Sequence, residues 1–372
     1  MTQEDSIRRL LREGIADLPA VAPLADPREV AERSHQEVVR VGANENPLAP
    51  SPRTVEAAKQ ALLEPNRYPD PLSLELRGAI GERFGLSLEH VLVGNGGDDA
   101  ISILARTFLN EGDEVLIPWP SFGTYVVTAR VMGAKLILSP LEDYAIDPED
   151  MLKKVSKRTK LVYLCNPHNP SGTLLSPASF EQILQALPER VILFSDEAYW
   201  DFVEEDKNYP DTLGPLAKGK TPHLVILRTF SKVYGLAGIR VGYLLAPPPM
   251  VSYMLRAKEF FNVNRVAQAA ALAALKDEDH YRKRRSFIIE ERRLLERELS
   301  ALKIPFVPSQ ANFILLILGE KAPLVFEGFL DRGIIARAGS GFGIPETVRI
   351  SVGSREENER VLRALRDLWG KG

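Results

Sequence analysis

The chain has 372 residues, 45% of them apolar, enough for a large core that divides into two lobes. Lys and Arg number 47 against 50 Asp and Glu, and the net charge of −3 excludes the cationic excess of a general nucleic-acid or membrane-surface binder. The single cysteine, Cys165, excludes an intrachain disulfide.

The acidic start, Met1 to Asp5, lacks the apolar stretch of a secretory signal. The longest apolar run, near Phe313 to Leu318, falls far short of the roughly 18 to 20 residues that span a bilayer. A cytoplasmic location is the expectation. A helix is predicted over Ser6 to Glu13, then a Pro-bearing connector and a short helix near Arg28 to Arg33. From about residue 72 short Val/Ile/Leu runs alternate with amphipathic segments. The series is helix Leu72 to Phe84, strand Val91 to Val93, helix Asp98 to Leu109, strand Glu114 to Ile117, helix Gly123 to Met132 and strand Lys135 to Leu138. Strand Leu161 to Leu164, helix Pro177 to Ala186, and strands Val191 to Phe194 and Leu224 to Leu227 continue it. This pattern predicts an α/β fold, a mostly parallel mixed sheet sandwiched by helices. Only a Gly-rich loop precedes Arg240 to Ala246, with no room for a crossover helix, so that strand is predicted antiparallel.

After Pro247 to Pro249 one helix is predicted to about Leu275. A highly charged helix follows over His280 to Leu302, with Ile288, Leu295, Leu299 and Leu302 on one stripe. Strand Asn312 to Leu318, helix Pro323 to Arg332, strand Val348 to Val352 and a final helix complete a smaller α+β lobe. Ser354-Arg355-Glu356-Glu357 reads as a capping box.

Ligands of open α/β sheets bind beyond the carboxyl ends of strands, and four predicted strands run into polar loops there. These are Gly94-Asn95-Gly96-Gly97-Asp98, Asn166-Pro167-His168-Asn169-Pro170-Ser171-Gly172, Ser195-Asp196-Glu197-Ala198-Tyr199 and Arg228-Thr229-Phe230-Ser231-Lys232. Together they offer an anion cradle, an amide, a carboxylate with a phenol, and an amine. That inventory suits a phosphorylated, nitrogen-bearing aldehyde. The first loop opens a helix whose free N–H groups and dipole can hold a phosphate, with Asp98 a candidate N-cap, although a plain glycine turn has the same letters. It is neither a GxxxxGK[ST] loop nor a GxGxxG fingerprint. A lysine in a Gly-rich turn after a buried strand can be desolvated into a nucleophile, and Arg240 can neutralise a phosphate, helped by Thr229 and Ser231.

The segment Thr229-Phe230-Ser231-Lys232 through Gly235-Leu236-Ala237-Gly238-Ile239-Arg240-Val241-Gly242-Tyr243 resembles the lysine segment of pyridoxal-5'-phosphate (PLP) aminotransferases of fold type I. Asn44-Glu45-Asn46-Pro47-Leu48, Arg67-Tyr68-Pro69-Asp70, Asp196-Glu197-Ala198-Tyr199, Phe261-Asn262-Val263 and Val348-Arg349-Ile350-Ser351-Val352-Gly353 are similar to motifs of the histidinol-phosphate aminotransferase family, in the same order. The resemblance implies a large PLP-binding α/β domain over 45–270 and a small α+β domain from 1–44 and 271–372. It implies that Lys232 carries the cofactor covalently and, once released, moves the substrate proton. Asp196 would pair with the pyridine nitrogen, and Tyr199 and Asn169 with the ring hydroxyl. Gly96, Gly97, Asp98, Thr229, Ser231 and Arg240 would surround the phosphate, Phe122 would stack on the ring, and Tyr68 would reach the neighbouring active site of a homodimer. Singly, each of these has an ordinary reading as turn, core aromatic or strand-end acid; it is their concurrence with Lys232 and Arg240 that carries weight.

For substrates the resemblance implies small-molecule amines and 2-oxo acids, with Arg337, Arg349 and Asn44 as binding residues. It favours amino transfer between histidinol phosphate and 2-oxoglutarate, in histidine biosynthesis. Some positions depart from the family pattern: Leu24 stands where a phosphate-touching tyrosine is frequent, Phe122 replaces a frequent tyrosine, and His168 a frequent asparagine. Loss of a hydroxyl at Leu24 makes aromatic amino acids the alternative amine. A decarboxylase on the same fold and a PLP-binding regulatory module are further readings; the latter needs a DNA-binding domain, for which residues 1–40 are too few. The remaining histidines show no metal spacing, and no metal is expected.

Overall fold

The computed structural model describes residues 3–16, 18, 24–204 and 208–370. Seven strands form the main sheet in the order Val91–Gly94, Gly242–Leu245, Leu224–Thr229, Ile192–Asp196, Thr159–Cys165, Glu114–Trp119, Lys135–Pro140. Gly242–Leu245 runs antiparallel to both neighbours and the other pairs are parallel. Residues such as Val115, Val162, Leu193 and Ile226 are fully buried, as expected of strands covered by helices on both faces.

A second sheet of four strands, in the order Arg337–Ala338, Thr347–Ser351, Phe313–Ile317, Phe306–Val307, is built from the C-terminal third. The N-terminal segment joins this part, because Val39–Arg40 pairs in parallel with Ile334–Ile335. Helix Arg355–Trp369 starts with the expected capping box: Glu357 N donates to Ser354 Oγ at 3.2 Å and Ser354 N to Glu357 Oε2 at 2.7 Å.

Several expectations need correction. The first helix covers only Gln3–Arg8, with a separate turn at Glu13–Ala16, and the connector after it lies largely outside the described residues. The segment from Pro248 to Leu275 is two helices, Pro248–Ala257 and Arg265–Leu275; Asn264 caps the second by accepting from Ala267 N at 2.8 Å. Helices Pro52–Ala61 and Pro148–Lys153 were not anticipated, although each has an N-cap residue, Ser51 or Asp147, followed by proline at the first position. The charged helix runs Glu278–Ala301 and buries Arg284, Glu291 and Arg292 along with Ile288, Leu295 and Leu299 of its apolar stripe, whereas Leu302 is the C-cap and only half-buried.

Candidate active site

The carboxyl ends of the central strands meet at one level. Cys165, Asp196 and Leu227 are register partners on three adjacent parallel strands. Past them the chain leaves the sheet, and a cavity of about 270 Å³ opens there. Its walls include Asp196, Tyr199, Asn169, Phe122, Lys232, Thr229, Ser231, Arg240, Gly97 and Asp98. Ten of the residues singled out in the sequence thus share one space, and Lys232 and Asp196 face it together.

At one end is the start of helix Gly97–Phe108, with Gly96 at its N-cap at φ 86°. Asp98 is therefore inside the helix and does not cap it. Its Oδ1 accepts from Thr124 Oγ1 at 2.8 Å and its Oδ2 meets Arg240 Nη2 at 3.2 Å. A Cβ on Gly96 would lie 2.6 Å from Arg240 Nη2, so the missing side chain makes room for that guanidinium. The helix start, Arg240, Thr229 and Ser231 gather at this end of the cavity, a set of groups able to cradle an anion; the Thr229 hydroxyl also reaches Val241 O at 3.5 Å.

Lys232 follows the strand Leu224–Thr229 and lines the cavity. Its Nζ donates to Asn44 O at 3.1 Å. Burial, reinforced by Arg349, lowers its ammonium from 10.5 to about 8. Asn44 (φ 54°) also donates through Nδ2 to Tyr199 Oη at 3.1 Å, and Asn169 Nδ2 approaches the same oxygen at 3.4 Å. The Tyr199 hydroxyl thus accepts from two amides. Its own proton has no acceptor among the described residues and is free to be donated into the cavity. Burial raises the phenol well above its ordinary value, so it keeps that proton.

Asp196 is 4% exposed. Oδ1 accepts from Ala198 N at 3.0 Å, and Oδ2 accepts from the Tyr125 hydroxyl. Burial lifts its carboxyl to about 6, against the pull of both donors. Tyr125 was not recognised in the sequence; its place three residues after Phe122, one turn along the same helix, was the available signal. Also missed was the ion pair beneath the site. Arg228 donates to Glu197 Oε2 from Nη2 at 2.7 Å and from Nε at 3.0 Å, with its guanidinium 3.8 Å over the Trp200 ring.

Arg349 is buried, donating to Asn169 Oδ1 at 2.5 Å and to Gly42 O at 3.1 Å. Burial lowers it to about 10. Arg337 is its cross-strand partner, further out, over the Phe342 ring at 5.7 Å. Leu24 lines a second opening that shares Ala43 and Glu45 with the first. Tyr68 is not in the cavity: it is 77% exposed and stacks on Phe261 at 4.3 Å.

The donor set fits PLP. The anion cradle suits its phosphate, a buried carboxylate suits a protonated ring nitrogen, a phenol with a free proton suits the ring oxygen, and a lowered lysine suits the aldehyde. Residues 36–365 match the model of the family described as aminotransferase class I and II. A histidinol-phosphate aminotransferase of Anaeromyxobacter sp. is 42% identical over 360 residues, covering 96% of this chain and 98% of the relative. One from Moorella thermoacetica is 38% identical over 358 residues, covering 96% and 92%. The crystal structure of histidinol-phosphate aminotransferase from Sinorhizobium meliloti in complex with pyridoxal-5'-phosphate superposes with a TM-score of 0.86 at 28% identity, covering 96% of this chain and 97% of that one. The chain belongs to the class I and II aminotransferases and, among them, to the histidinol-phosphate aminotransferase family.

Proposed function

We propose that this aminotransferase moves the amino group of histidinol phosphate to 2-oxoglutarate, a step of histidine biosynthesis, in the cytoplasm. Relatives of that name, 38% and 42% identical over nearly the whole chain, are the observation that carries the substrate. Arg349 donates to Asn169 of the cavity wall and pairs across strands with Arg337, though neither arginine lines the cavity itself; two cations so placed suit substrates that each bring an anionic group.

Bound PLP supplies a cationic ring that takes up the electron pair left when the substrate Cα loses its proton. Lys232, with an ammonium brought down to about 8, has a neutral fraction near physiological pH that can attack a carbonyl and carry a proton at Nζ. Asp196 holds the ring-nitrogen proton by its negative charge. Tyr199 donates its hydroxyl proton to the ring oxygen, oriented by Asn44 and Asn169. Gly96, Gly97 and Asp98, through the backbone at the helix start, with Thr229, Ser231 and Arg240 anchor the phosphate, and Phe122 covers the ring face. Arg349 binds a substrate carboxylate, steadied by Asn169, and Arg337 the second anion.

The unit around the seven-stranded sheet, 45–270, and the rest, 1–44 with 271–372, are assigned as two domains. Tyr68 reaches the phosphate of a partner's site in a homodimer. Its exposure, with that of Leu62, Leu63, Phe260 and Phe261, supplies an apolar surface for this contact.

Borohydride reduction of the holoenzyme should add the mass of reduced cofactor to the Lys232 peptide, and Lys232→Ala should gain none. Glutamate formed from 2-oxoglutarate and histidinol phosphate tests the substrate. Turnover of phenylalanine without turnover of histidinol phosphate would reject it.

A further inference from the structure

We propose that Tyr125 is a positioning residue for Asp196, fixing the direction and the acidity of the carboxylate that meets the cofactor ring nitrogen. This rests on the role proposed above for Asp196. Tyr125 lies on helix Gly123–Val131, is fully buried, and donates its hydroxyl to Asp196 Oδ2. Since Ala198 N already donates to Oδ1 at 3.0 Å, a donor on each oxygen stops the carboxylate from rotating. The remaining lone pairs are left for the cavity, which Asp196 lines.

The same ring also packs against the cavity wall. It stacks on Tyr163 at 4.3 Å with 10° between planes, and meets Phe122 edge-on at 5.6 Å and 83°. One side chain therefore links the wall proposed to cover the cofactor ring and the acid proposed to meet its nitrogen. Burial raises the Tyr125 phenol well above its ordinary value, so it remains a donor. Tyr163, just as buried and in the same stack, makes no hydrogen bond to Asp196 and serves as an internal control for packing.

The titratable groups facing Asp196 are Tyr125 from helix Gly123–Val131, Tyr163 and Cys165 on the neighbouring strand, Glu197 and Tyr199 just after it, Tyr209, Asp98 from the helix start and Lys232. Burial weakens Asp196 as an acid, and the Tyr125 donor opposes burial. Without that donor the carboxylate takes a proton more readily and holds a ring-nitrogen proton less well.

Tyr125→Phe keeps the ring and removes only the hydroxyl. Release of PLP from the holoenzyme on dialysis should give a dissociation constant severalfold higher, since the hydrogen bond is lost from both the free and the bound protein and only the difference between the two states enters. The pH midpoint of the bound cofactor's absorbance should move upward, because less positive charge on the ring leaves the lysine-linked nitrogen more basic. kcat should fall more than KM changes. Tyr163→Phe should shift none of these, and Tyr125→His, which restores a donor, should recover part of the loss. If Tyr125→Phe matches Tyr163→Phe in PLP affinity and absorbance midpoint, the proposal is wrong, even if its melting temperature drops. Asp196→Asn separates the two levels: retained PLP affinity and an unmoved midpoint in that variant would remove the role of Asp196 itself.

Discussion

Replacing Lys232 by methionine should make the cofactor-free protein more stable while abolishing activity. The lysine is held in a site that disfavours its charge: burial, then Arg349, lowers it from 10.5 to about 8. At about 1.4 kcal/mol per pH unit this sets a ceiling of about 3 kcal/mol on the destabilisation. The folded value lies below the unfolded one, so the penalty is complete below about pH 8 and fades as pH rises from there toward 10.5. Methionine has similar length and no charge. Removing Nζ does not orphan its acceptor, because Asn44 O also accepts from Asn312 Nδ2 at 3.0 Å. A net gain of about 1 to 3 kcal/mol remains, which for a chain of this length is about 1 to 4 °C in melting temperature. Thermal melts of both cofactor-free proteins at pH 7 and pH 10 measure it. A variant that melts lower than the parent at pH 7, or a difference that does not shrink at pH 10, would refute the reasoning.

Three other outcomes follow from the geometry. Glu197→Gln leaves Arg228 buried without its counter-charge and should cost about 3 to 5 kcal/mol, read as a lowered denaturation midpoint, whereas Glu197→Gln with Arg228→Met should recover much of it. Gly96→Ala should weaken PLP binding severalfold in a fluorescence titration, since the new Cβ displaces the Arg240 guanidinium and the backbone sits at φ 86°. Asn262→Ala should also weaken it: Asn262 Nδ2 donates to Asp99 Oδ2 at 2.9 Å, and that oxygen accepts from Asn95 N at 2.8 Å, so the amide steadies the loop that carries the anion cradle.

The strand-end loops were readable because short apolar runs ending in Gly, Asn, Asp or Lys have a local cause. A buried strand must leave the sheet where its polar groups can be satisfied, and the Lys232 segment is long enough to be specific. The antiparallel direction of Gly242–Leu245 in the seven-stranded sheet followed from loop length alone. Pro52–Ala61 and Pro148–Lys153 are just as local, each marked by an N-cap, Ser51 or Asp147, and a proline at the first position. The break at Lys258–Asn264 was harder to see, since apolar spacing resumes on both sides and only Asn264, as a cap, marks it.

What the sequence determined by itself was the order of elements and the chemical kinds of group that reach the carboxyl edge of the sheet, because propensity, turn chemistry and hydrophobic period act within a few residues. What only the tertiary structure decided was partnership: Tyr125 with Asp196, Glu197 with Arg228, Asn44 with Lys232 and Tyr199, Arg349 with Asn169. These pairs are separated by 31 to 188 positions in the chain. Their directions, and the burial that shifts Lys232 and Asp196 toward neutrality, exist only once the strands are in register and water is excluded.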